Sequence, residues 1–95
     1  MVFFSKAMVT PGTAVALASS SKLIRRLWIQ AKRVAGGNTT PIFVGDDTVD
    51  YVSKQGIQLG ANEVLALEFA APVNLASIFI DGATATDGVV GFYQE

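Results

Sequence analysis

Leu23-Ile24-Arg25-Arg26-Leu27-Trp28-Ile29-Gln30-Ala31-Lys32 is the longest strand candidate in the chain, and its reading decides the fold class. Alternation puts Leu23, Leu27, Ile29 and Ala31 on one face, interrupted by Arg25, and Arg26, Trp28, Gln30 and Lys32 on the other with Ile24. The first set is the expected core face. A helix competes, because Leu23 with Leu27, and Ile24 with Trp28 and Ala31, also suit helical spacing, and Ser19-Ser20-Ser21 would cap its start. The flanking sequence and the β-favouring Trp and Ile content decide for a strand.

Outward from this stretch the apolar pattern stays short and is broken by Gly, Pro, Asn and Ser. Upstream, Val2 to Val9 reads as a strand that stops at Thr10-Pro11-Gly12, where Pro presets φ and Gly accepts a positive φ. Thr13 to Leu17 is a second short strand. Downstream come a turn at Ala35-Gly36-Gly37-Asn38, a strand over Thr39 to Gly45 with Pro41 at its start or on an edge, and a turn at Asp46-Asp47. Thr48 to Val52 is a weak strand and Gly56 to Leu59 another. Val64 to Phe69 follows and is ended by Ala71-Pro72. Ala76 to Asp81 and Gly88 to Tyr93 finish the chain, joined by a small polar hairpin loop over Gly82 to Asp87. The expectation is a single all-β domain, an antiparallel β-sandwich or jelly-roll-like fold of about eight short strands, with residues 1–12 as an N-terminal arm or first strand.

Composition bounds the function. The chain has 95 residues with no Cys and no His, which excludes disulfides, thiolate zinc sites, imidazole ligands and His-dependent nucleophile systems. Apolar residues are 51% and charged residues 16%, an excess that so small a sphere hides poorly, so part of the apolar surface is expected in contacts with other chains. The stretch TAVALASSS (13–21) imitates the end of a signal peptide, but Pro11-Gly12 cuts its apolar run short, and cleavage is not expected. No apolar run approaches the roughly 18 residues that cross a bilayer, so no membrane partner is expected.

Charge is separated along the chain. Residues 1–45 carry Lys6, Lys22, Arg25, Arg26, Lys32 and Arg33 with no acid, whereas residues 46–95 hold Lys54 against all eight acids. Either a basic sheet edge meets acidic strands within the chain, or two opposite-sign faces meet between subunits.

Three chemistries compete with a structural role. Asp46, Asp47 and Asp50 could hold a metal, yet an EF-hand loop starting there would need its bidentate acid where Ile57 stands, and Asp is a common turn former. Nucleic acid could stack on Trp28 within the basic cluster, but Trp28 is the lone aromatic of that region, where a single-strand platform offers several. Trp28, Tyr51 and Tyr93 could stack on sugars, although nothing in their spacing brings them together. Glu63 and Glu68 have opposite parity on one strand and do not form a carboxylate pair. No catalytic residue, cofactor or metal is expected, and no nucleic-acid partner.

The progression TAVAL, the basic RRLWIQA, a Gly-Asn turn, TTPIFVG, GIQLGANEVLALEF, NLASIFIDG and a terminal VVGFY resembles small β-sandwich virion proteins of tailed bacteriophages, over about Thr13 to Tyr93. Gly60-Ala61-Asn62-Glu63 stands where that progression has a Pro-Gly-Glu type of turn. The resemblance implies a capsid decoration or cement subunit made in the host cytoplasm. It would form a homo-oligomer, most often a trimer, on the outer capsid surface against the major capsid protein. A tail, fibre or adaptor module of the same fold is the alternative, and a lectin-like receptor-binding module the second. Phe3, Phe4, Arg25, Arg26, Trp28 and Arg33 are the interface candidates. Alternation sends Phe3 and Phe4 to opposite faces, so one core takes one ring and the other needs a second apolar surface.

Overall fold

The computed structural model describes residues 1–32, 40–84 and 87–95. Two four-stranded antiparallel sheets pack face to face as a β-sandwich. The strands are β1 (Val2–Ala7), β2 (Val15–Ala16), β3 (Leu23–Ala31), β4 (Ile42–Gly45), β5 (Ile57–Leu59), β6 (Val64–Asn74), β7 (Phe79–Gly82) and β8 (Gly88–Gln94). One sheet has the order β1-β8-β3-β6 and the other β2-β7-β4-β5. We call them sheet A and sheet B. The expected all-β sandwich of about eight strands is therefore what the chain forms. The turn Ala35-Gly36-Gly37-Asn38, the start of the Thr39 strand and Arg33 lie outside the described residues.

Each inner face is set by alternation. Leu27, Ile29 and Ala31 of β3, Val89 and Tyr93 of β8, Ile42 and Val44 of β4, Leu59 of β5 and Ile80 of β7 interdigitate in one core. Leu23 departs from its expected place: it is 59% exposed, and Ile24 is fully buried instead. The register slips at this point, since Ile24 pairs with Val73 but Arg26 with Glu68. Inserted residues at such a bulge invert the parity beyond it, so the residue on the far side of Arg25 that reaches the core is Ile24.

Three other expectations are corrected. Thr48 to Val52 is not a strand; the chain turns over Tyr51–Lys54 and closes with an isolated bridge between Asp50 and Gln55. Pro72 does not end β6, which runs on to Asn74, because β6 is an edge strand and Pro72 falls where the register has already slipped. The expected hairpin over Gly82 to Asp87 is not formed, because β7 belongs to sheet B and β8 to sheet A; residues 85 and 86 lie outside the described residues. A short 3-10 turn over Leu75–Ser77 precedes β7, with Asn74 Oδ1 accepting the Ala76 N–H and the Lys22 N–H. At Thr10-Pro11-Gly12 the expected turn forms, with Gly12 at φ +83° and the Thr13 N–H donating to Thr10.

The N-terminal segment is a first strand and not a detached arm. Val2 to Ala7 pair residue by residue with Tyr93 to Gly88.

Candidate functional site

Cross-strand register lines up side chains on the outer face of sheet A. Phe3 pairs with Phe92, Phe92 with Trp28 and Trp28 with Ala66, so one row crosses all four strands. All four residues have the parity opposite to the core set, and the row is aromatic for three of its four positions. Phe92 stacks on Trp28 with ring centroids 5.3 Å apart and planes 13° from parallel. Phe3 meets Phe92 edge-on at 5.6 Å and 69°. The adjoining rows are Ser5, Val90, Gln30 and Val64 on one side and Gln94, Arg26 and Glu68 on the other.

No described element covers this face. Phe3 is 74% exposed, and Val90 and Val64 are also exposed. Because Ala66 is small and sits beside the large Trp28, the row ends in a notch of about 220 Å³ bordered by Arg26, Trp28, Ala66, Glu68 and Phe92. A second, shallow depression of about 450 Å³ runs over Phe3, Phe92, Trp28 and Val90. Arg26 and Glu68 are the charged residues that border these hollows, and they pair with each other at 3.7 Å. Both are well exposed, so the pair contributes little stability. It does show a basic strand meeting an acidic one within the chain.

The opposite outer face is built differently. Phe43 and Asp81 point outward from sheet B, paired across β4 and β7, yet both are buried. The segment between β4 and β5 folds over them: the Tyr51 N–H donates to Asp81 Oδ2 at 3.0 Å, and Val49 is buried against Gly45. Asp46 and Asp50 shape this cover as turn formers. Asp46 Oδ1 accepts from the Thr48 N–H and hydroxyl, and Asp50 Oδ1 accepts from the Val52 N–H. The Thr48 hydroxyl, with the backbone bond behind it, holds the Asp46 carboxyl below the usual carboxylate range. Among the described residues no three acids converge as a metal cage.

Of the interface residues expected from the sequence, Phe3, Arg26 and Trp28 share the bare face of sheet A. Phe4 is half-buried, packed on the core beside Tyr93 at 6.0 Å. Arg25 lies at the register slip and is exposed. Arg33 is outside the described residues. The sugar-binding trio is not assembled: Tyr93 is a core residue under Lys22, whose ammonium lies 5.6 Å from its ring centre, and Tyr51 belongs to the cover of sheet B. Trp28 is not alone, because β8 brings Phe92 against it from the far end of the sequence. Phe92 was legible in part, since it shares parity with Val90 in GVVGFY, but only the strand order makes it a neighbour of Trp28. Comparison with family models, with curated proteins and with solved structures finds no match to this chain.

Proposed function

We propose that the chain is a structural virion subunit and not an enzyme: a decoration or cement protein of a tailed-phage head that associates with its own copies, as a trimer, and lays the bare face of sheet A on the major capsid protein. The observation that carries this reading is the asymmetry of the sandwich. One outer face has Phe43 and Asp81 covered by its own loop, while the other carries an aromatic row that no described element covers, with Phe3 exposed and Trp28 and Phe92 half-buried. Apolar surface of that kind is stabilised by burial against a partner, and aromatic residues are enriched at the centres of such contacts. The resemblance over Thr13 to Tyr93 supplies the identity of the partner.

The experiment is capsid retention. Purified particles lacking the subunit are mixed with the wild-type protein and with Trp28→Ala, sedimented and assayed for bound protein. Binding by the wild type that Trp28→Ala weakens supports the reading, while a folded wild-type protein that leaves capsids bare rejects it. A tail or fibre role for the same face is distinguished by the location and copy number of the subunit in electron micrographs of the particle.

A further inference from the structure

We infer that copies of this chain join head to tail, the free edge of β1 in one subunit adding to the free edge of β6 in the next, with Phe3 seated in the neighbour's notch over Ala66. The inference deepens the assembly reading above and rests on it for the expectation of a homo-oligomer. The geometry of the joint comes from sheet A alone.

Among the described residues β1 and β6 are the two edges of sheet A, and their directions match, because four alternating antiparallel strands leave the outer two antiparallel to each other. Hydrogen-bond phase then fixes which groups are free. The Met8 N–H donates to Asp87 at the end of the β1–β8 ladder, so even-numbered residues of β1 turn their backbone inward, and the N–H and C=O of Phe3 and Ser5 face the open edge. The Ala31 N–H donates to Glu63 in the β3–β6 register, so odd-numbered residues of β6 turn inward, and those of Val64 and Ala66 face outward. Antiparallel addition can therefore pair Phe3 with the neighbour's Ala66 and Ser5 with its Val64.

Side-chain chemistry selects this register. It sets Val2 against Leu67, Phe4 against Leu65 and Lys6 against Glu63, so apolar residues meet apolar residues and the one cation of β1 meets an acid. Shifting by two residues toward Glu68 would put Lys6 opposite Leu65 and Phe3 opposite Glu68. Twofold pairing of β1 with its own copy in the same phase sets Lys6 against Val2 or Phe4. Twofold pairing of β6 about Ala66 sets Glu68 against Val64, and a twofold axis further along runs into the register slip after Glu68.

Shape agrees with charge. Phe3 is the most protruding ring of the row, 74% exposed at one edge, and the notch of about 220 Å³ lies at the other edge of the same row. A cavity of about 150 Å³ accepts a benzene ring, so a phenyl group fits. In the joined state the aromatic row continues from one subunit into the next. A head-to-tail joint closes into a ring when its rotation permits.

The absence of native cysteine makes the test direct. Ser5 and Val64 are both exposed and lie in one row at opposite edges of the same sheet, three strand spacings or about 14 Å apart, too far for an intrachain disulfide. In the joint they come to about 5.5 Å between Cα atoms, within disulfide reach. The variant carrying both Ser5→Cys and Val64→Cys, oxidised in solution, is expected to give covalent oligomers beyond the dimer on a non-reducing gel, while each single variant stays uncrosslinked. Phe3→Ala in the wild-type background is expected to weaken self-association about tenfold or more by light scattering, with an unchanged fold. Dimers formed by either single variant would show a twofold joint and overturn the inference. Absence of crosslinks in the double variant, while the wild-type protein is oligomeric and binds capsids, would overturn the inference and leave the assembly reading standing.

Discussion

Phe92→Ala tests whether the aromatic row is a structural unit or three independent side chains. Phe92 holds the middle position, stacked on Trp28 and met edge-on by Phe3. Each ring pair is worth about 0.5–1.5 kcal/mol beyond area burial. Losing two of them, with roughly half the burial of a phenylalanine side chain, gives about 2–4 kcal/mol. For a domain of this size that is a fall in Tm of about 10–20 °C. Phe3→Ala removes one edge contact of a ring that is already in water, so its cost is about 0.5–1.5 kcal/mol. Trp28 is the one tryptophan of the chain, which makes its fluorescence a local reporter of the same face. At protein concentrations low enough to keep the subunit monomeric, the emission should shift to the red in Phe92→Ala and change little in Phe3→Ala. Thermal melts and emission spectra of the two variants decide the matter: equal Tm losses, or an unmoved emission maximum in Phe92→Ala, would refute the stacked row.

Gly91→Ala should destabilise by about 3 kcal/mol or more in a denaturant titration, because an added methyl would overlap the Trp28 carbonyl oxygen across the central β8–β3 pair, where only backbone movement could relieve it. Ile24→Ala should cost about 2–5 kcal/mol and Leu23→Ala well under 1 kcal/mol, the reverse of what plain alternation along β3 would give; equal effects in urea melts would remove the register slip. Asp46→Asn should flatten the acid limb of the Tm-against-pH curve. The folded-state pKa of Asp46 lies below its ordinary 3.8, so its contribution is present above that pH and lost as pH falls through the folded value. An acid limb identical to wild type would refute the Thr48 contact as its cause.

The sequence is most legible where alternation runs unbroken. Leu27, Ile29 and Ala31 are core residues because β3 is regular there, and the boundaries marked by Pro11-Gly12, Asp46-Asp47 and Gly60-Ala61-Asn62-Glu63 fall where the chain turns. Leu23 was misplaced because a bulge consumes residues without any glycine to announce it; Arg25 and Arg26 are merely two exposed polar side chains in a row. The missing hairpin between β7 and β8 has a different origin. Short spacing between two strands favours pairing, yet β7 is already flanked by β2 and β4, and β8 fills the gap between β1 and β3. The cover over sheet B could not be read from Thr48 to Val52 either. Val49 and Tyr51 suit a strand by type, but Asp46 and Asp50 bind the backbone two residues onward and bend the segment across Phe43.

Strand order also decides what becomes of the charge separation along the chain. Sheet A alternates strands of the basic half, β1 and β3, with strands of the acidic half, β8 and β6, so Arg26 comes beside Glu68 and the two poles are mixed across one layer. Sheet B draws β2 and β4 from uncharged stretches of the basic half, and β5 and β7 from the acidic half. With its cover it holds Asp46, Asp47, Asp50 and Asp81 against Lys54. Sheet A and its margins keep Lys6, Lys22, Arg25, Arg26 and Lys32 against Glu63, Glu68, Asp87 and Glu95. The poles therefore survive only as a difference between the two layers of the sandwich: sheet B with its cover is acidic and sheet A with its margins is the more basic layer, while the bare aromatic face itself carries Arg26 and Glu68 as a pair. Long-range charge acts on the rate and orientation of an encounter, while apolar burial sets how long the complex lasts. On the proposed function both act through the same layer, which gives a partner one way round to meet this subunit.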